Sequence, residues 1–97
     1  MSKAVAFTYL ITNKVNDKKY VGWTLNPYRR WSAHIQAARS GDQRKFYSAL
    51  CKYGVKNFIL KVVFSGSVAA ANRMEVKLIK TYDAFRNGYN STLGGDG

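Results

Sequence analysis

The sequence predicts an α+β domain: a small, mainly antiparallel sheet of three strands flanked by about three helices. Three observations predict it. Residues 5–24 hold two short runs of β-branched and aromatic residues around a polar turn. NFILKVVF at 57–64 is a third such run. Elsewhere, apolar residues recur at helical spacing behind recognisable capping residues.

The first run carries Val5, Phe7, Tyr9 and Ile11 on one side, and the second is Lys19-Tyr20-Val21-Gly22-Trp23-Thr24. Asn16-Asp17 between them suits a tight hairpin turn. With those two residues central, Tyr20 faces Asn13 and Gly22 faces Ile11. Tyr9 and Tyr20 then share a face, and a one-residue slip would separate them. Gly22 has no side chain and leaves an open floor between the tyrosines, where another group can approach the backbone.

Asn26-Pro27 opens the first helix, because Asn caps well and Pro suits the first helical position. The helix is expected to run to about Ser40, with Tyr28, Trp31, Ile35 and Ala38 as its apolar stripe. Arg30 and His34, four apart, flank that stripe. A second helix is expected over Arg44–Tyr53, with Phe46, Ala49, Leu50 and Tyr53 inward and Gly54 as its stop. Strand 57–64 is apolar on nearly both faces, so it is expected to be the central and most buried strand. Ser67 caps the third helix, about Val68–Tyr82, whose stripe is Val68, Ala71, Leu78, Ile79 and Tyr82. The tail from Leu93 reads as the start of a glycine-rich linker, so the expected division is a domain at 1–92 and a linker at 93–97, with the chain a piece of something longer.

Sixteen Lys and Arg against five Asp and Glu give a formal charge of +11 on 97 residues. Such a body attracts a polyanion, and nucleic acid is the first candidate. An anionic membrane fits less well, since no basic amphipathic helix stands out. No apolar run is long enough to span a bilayer, and no signal-peptide pattern opens the chain, so an intracellular (cytoplasmic) location is expected. Cys51 is the only cysteine, which excludes an internal disulfide and a cysteine-based zinc site.

Chemistry is restricted to few residues. There is no P-loop or dinucleotide fingerprint. Glu75, the only glutamate, falls in the middle of the third helix's stripe, four residues after Ala71 and four before Ile79. A carboxylate there needs a partner: an arginine, as half of a salt bridge, or a metal ion. With one His, an Arg four residues before it and two hairpin tyrosines, this inventory suits phosphodiester hydrolysis. That reaction needs an oriented water, neutralised phosphoryl charge and help for the leaving oxygen.

Tyr9, then ten residues, then Tyr20-Val21-Gly22 resembles the paired motifs of the GIY-YIG nucleases. The first motif departs from the family pattern, since Phe7-Thr8-Tyr9 keeps only the tyrosine. Arg30-Trp31-Ser32-Ala33-His34 is similar to the family's Arg-x-x-x-His, Glu75 to its single glutamate, and Gly88-Tyr89-Asn90 to its asparagine motif. The match looks closest to the catalytic domains of phage homing endonucleases.

The resemblance implies a divalent-metal-dependent endonuclease acting on double-stranded DNA, with one Mg²⁺ (or Mn²⁺) on Glu75. It implies Arg30 on the scissile phosphate and Tyr9 at the attacking water, supported by Tyr20 and His34. Asn90 would orient the phosphate or the tyrosines. The general base is open among Tyr9, Tyr20 and His34, and a tyrosine in that role needs nearby positive charge. Lys18, Lys19, Gly22, Arg29, Arg30 and Lys45 are the expected nucleic-acid contacts, and a separate C-terminal DNA-binding domain is the expected partner. The alternative is a non-catalytic basic module that stacks bases on its aromatics; Glu75 argues against it.

Overall fold

β1 (Ala6–Asn13) lies in the middle of a three-stranded antiparallel sheet, between β2 (Lys19–Thr24) and β3 (Phe58–Gly66). The computed structural model describes residues 4–94. Among them are three α-helices, α1 (Pro27–Arg39), α2 (Lys45–Tyr53) and α3 (Val68–Thr81), and a 3-10 turn at Val55–Asn57. The expected class and element count hold. Linker residues 95–97 lie outside the described residues; Gly94 packs near Glu75, Val76 and Ile79.

The central strand is a correction. β3 was expected in the middle, but it is an edge strand with Ile59 52% and Val63 41% exposed. β1 takes the middle because both its faces are covered. Tyr9 and Ile11 join Ala38, Phe46, Leu50 and Phe58 on one side, and Leu10 joins Val21, Ile79 and Ala84 on the other. Thr8, also on β1, donates its hydroxyl to the Ala71 carbonyl in α3 at 2.9 Å.

The hairpin register also differs from the expected one, by two residues. Ile11 pairs with Tyr20 and Tyr9 with Gly22. The turn is longer than a two-residue loop because its asparagines fold it. Asn13 Oδ1 accepts from Val15 N–H, Asn16 Oδ1 accepts from Lys18 N–H, and Asp17 has φ 63°. An even shift preserves the faces, so Tyr9 and Tyr20 still lie together, with ring centroids 6.3 Å apart.

The helix caps are as expected. Asn26 accepts from Arg29 N–H and Ser67 from Ala70 N–H. The stripe of α1 is rotated, with His34 and Ala38 buried and Tyr28 89% exposed. In α3, Ala71 and Ile79 are buried, while Val68 and Tyr82 at the ends are exposed. The tail then docks on the outer edge of β2. Tyr89 N–H donates to the Lys19 carbonyl at 2.8 Å, and Gly88 is required there because a Cβ would lie 2.5 Å from that oxygen.

Candidate active site

Two adjoining clefts, of about 490 and 390 Å³, share Tyr20 and Glu75 in their walls. The first also holds Tyr9, Gly22, Trp23, Arg29 and Arg30; the second holds Arg44, Asn90 and Thr92. The pieces come from both faces of the sheet. α1 supplies Arg30 on the Tyr9 side. α3 packs on the opposite face through Ala71 and Ile79, yet half-buried Glu75 reaches both clefts.

Tyr9 borders the first cleft while fully buried, and its ring fills the floor that Gly22 leaves. A Cβ at Gly22 would lie 2.4 Å from the Tyr9 hydroxyl. The open floor expected for an incoming group is therefore occupied by Tyr9 itself. A bulge in β3, between the pairs Thr8–Phe64 and Tyr9–Val62, lies beside this position.

The Tyr9 hydroxyl lies 2.8 Å from His34 Nε2, and His34 Nδ1 lies 3.1 Å from the Tyr47 hydroxyl. These three groups form a buried chain. Burial, and then the charge of Arg30, push the His34 pKa down to about 4, so the imidazole is neutral at pH 7. Burial also pushes the Tyr9 phenol well above its ordinary range; Tyr20 adds to the rise, and contact with Arg30 only partly opposes it. Tyr20 is raised too, first by burial and then by Tyr47, with Arg30 again opposing. The positive charge expected to make a tyrosine basic is thus present but outweighed by desolvation, and both phenols are protonated at neutral pH.

Asn90 is clasped to β2, next to Tyr20. Val21 N–H donates to Asn90 Oδ1, and Asn90 Nδ2 donates to the Val21 carbonyl, both at 2.8 Å. The amide imitates a neighbouring strand along the β2 edge. Of the expected nucleic-acid contacts, Gly22, Arg29 and Arg30 line the first cleft. Lys18, Lys19 and Lys45 line neither. Lys19 is held by Asp17 at 2.9 Å, and Lys45 donates to the Phe85 carbonyl.

Tyr47, Trp23 and Arg44 were not expected at the site. Tyr47 sits outside the helical stripe read from Phe46, Ala49, Leu50 and Tyr53, and no local pattern marks it. Arg44 carried the one available signal, an arginine at the start of a helix in a chain rich in unassigned cations.

The GIY-YIG catalytic domain family matches residues 5–90. The chain belongs to the GIY-YIG family. It is a nuclease domain, and nucleic acid is the substrate such a domain acts on. Two solved structures share the GIY-YIG fold. One is the catalytic domain of the intron endonuclease I-TevI as an E75A mutant, with TM-score 0.84, 24% identity, and 96% of this chain and 99% of that one covered. The other is the catalytic domain of the homing endonuclease I-TevI, with TM-score 0.80, 24% identity, and 90% and 98% covered. No curated protein sequence matches the chain significantly. Among the described residues, no helix is long and apolar enough to cross a membrane.

Proposed function

We propose that this GIY-YIG domain is a divalent-metal-dependent endonuclease that hydrolyses phosphodiester bonds of double-stranded DNA, as the catalytic part of a homing endonuclease. The observation that carries this reading is the meeting of Arg30, Tyr9 and Glu75 on the wall of one cleft in a strongly basic domain. The likeness in fold to the I-TevI catalytic domain supports the homing-endonuclease part.

The residues present fit one hard cation. No group of three or more His, Cys, Asp and Glu side chains comes together among the described residues, so a cage made of protein alone is not available. Mg²⁺ does not need one, since it commonly takes one or two carboxylates and completes its shell with water and substrate phosphate. Glu75 would hold it. Once bound, it supplies Lewis-acid stabilisation of the phosphoryl and leaving oxygens.

The remaining chemistry belongs to the side chains. Arg30 sets its charge against the phosphate. Tyr9 is a protonated phenol whose oxygen can accept a hydrogen bond from the attacking water. As the water oxygen bonds to phosphorus, its proton moves to Tyr9 while the Tyr9 proton moves to His34 Nε2; the ester P–O bond opposite the water breaks, and its electron pair stays on the leaving oxygen, which takes a proton from solvent. His34 keeps Nδ1–H toward Tyr47 throughout. A phosphate on Arg30 cancels part of the field that depresses the His34 pKa, so substrate binding strengthens this base. Asn90 holds β2, and with it Tyr20 and Gly22, in register.

The test is conversion of supercoiled plasmid by the 97-residue chain with Mg²⁺ and with EDTA. Relaxed or linear product with Mg²⁺ alone is expected. Intact plasmid under both conditions, with clean gel shifts, would overturn the reading in favour of a binding module.

A further inference from the structure

Arg44, Ser91 and Thr92 of the second cleft have no part in the chemistry above, yet the cleft opens beside it. It shares Tyr20 and Glu75 with the first cleft and runs between the start of α2 and the tail segment 90–94. Its polar wall includes Arg44, Ser91 and Thr92. Arg44 directs a largely exposed guanidinium whose ion pair is a long one, 3.7 Å to Asp42. Ser91 directly follows Asn90, which is clamped to both backbone groups of Val21, and the Thr92 hydroxyl oxygen accepts from Gly94 N–H.

A nucleic-acid strand that places one phosphate against Arg30 must place its neighbours close by. The third cavity, about 650 Å³ lined by Phe7, Pro27, Tyr28, Trp31, Leu60 and Val62, has no cation to receive one. Lys19 and Lys45 are engaged elsewhere. The second cleft has both a cation and hydroxyl donors.

We propose that the second cleft is a phosphate subsite, in which Arg44 and the hydroxyls of Ser91 and Thr92 hold a backbone phosphate flanking the scissile one. This rests on the nuclease reading above. The subsite sets the register of the strand, so that the scissile phosphate comes to rest between Arg30 and Glu75. Arg44 acts on binding and positioning, and the bond-breaking step stays with Tyr9, Arg30 and Glu75.

The experiment compares Arg44→Gln and Lys56→Gln, in the full 97-residue chain, with the unaltered protein. Lys56 is exposed and lines neither cleft, so it controls for loss of one charge. Duplex affinity is measured across a salt series, and plasmid cleavage alongside it. Arg44→Gln is expected to weaken binding by about tenfold and to reduce the salt slope by about 0.9, with kcat nearly unchanged. Lys56→Gln should do neither. Arg44→Lys should restore the slope, because it returns the charge.

Duplexes with one neutral methylphosphonate linkage near the cut then locate the phosphate. One flanking linkage should weaken the unaltered protein and leave Arg44→Gln no weaker than before. Equal effects of Arg44→Gln and Lys56→Gln, or no linkage coupled to Arg44, would overturn the subsite. So would a loss confined to kcat. If the unaltered protein binds but does not cut with Mg²⁺, the nuclease reading fails, while the salt slopes still report on Arg44.

Discussion

Tyr9 and Glu75 line the same cleft but belong to two different regions. Tyr9, His34 and Tyr47 form a buried hydrogen-bonded chain whose two phenols border the clefts, with His34 1% exposed. Arg30, Arg29 and Glu75 form a charged rim. Burial sets the proton affinities of His34 and Tyr9, which keeps that imidazole and that phenol neutral. The rim groups act through charge rather than through a buried hydrogen bond. One cleft therefore presents fixed neutral hydrogen-bonding groups next to fixed charges, which is what a reaction that moves one proton on a polyanion requires.

The largest test of this contrast is Glu75→Ala. Removing the one rim carboxylate should lower metal-dependent cleavage by roughly a thousandfold or more, about 4 kcal/mol of barrier. DNA affinity should be kept or increased, since a negative charge leaves a positive surface, and Ala suits the helix. Plasmid cleavage, gel shift and thermal melting on one variant check all three. A variant that still cuts at the normal rate would remove Glu75 from the mechanism.

The interior should reveal itself through pH. The unfolded chain takes up a proton on His34 near pH 6.5, but the folded protein resists until about pH 4. The unfolded state then binds more protons in that window, so stability falls as pH drops from about 6.5 to 4. The His34 share approaches ~3 kcal/mol. Melting of the protein and of His34→Gln across that range measures it. Parallel curves would mean that His34 is not held neutral.

Tyr9→Phe keeps the ring against Gly22 and removes only the hydroxyl that joins interior to rim. Cleavage should fall about a hundredfold with DNA affinity unchanged, and single-turnover rates at saturating DNA would show it. Asn90→Ala attacks the clasp on β2 and exposes no charge. It strands two backbone groups of Val21 and should lower stability by ~2 kcal/mol, read by urea denaturation. Smallest of all is Lys19→Gln. Held between Asp17 and the Tyr82 ring, Lys19 should contribute less to DNA affinity than Arg29 does, so Arg29→Gln should show the larger loss in a side-by-side titration.

The hairpin shows how a sequence can be right about a face while wrong about its pairs. The alternation of Tyr9 and Ile11 determines which side they share. The turn that sets the register depends on side-chain bonds from Asn13 and Asn16, which an Asn-Asp dipeptide does not announce. β1 and β3 teach the same lesson about burial. The run at 57–64 is the more apolar of the two, yet it is not the one that is covered. α1 and α2 on one side and α3 on the other make that choice by docking over β1.

What the sequence determined by itself was local: strand and helix periods, the caps at Asn26 and Ser67, the excess of positive charge, and an acid on an inward helical stripe. Short-range sterics and hydrogen bonds settle such features within a few residues. The tertiary structure alone decided that Tyr47 would meet His34, that Asn90 would clasp Val21, and that Arg44 and Glu75 would line one cleft. These partners are separated by up to 69 residues, and their meeting depends on how helices settle on a sheet. It also decided the proton affinities, because desolvation comes from everything packed around a group and not from its neighbours in the chain.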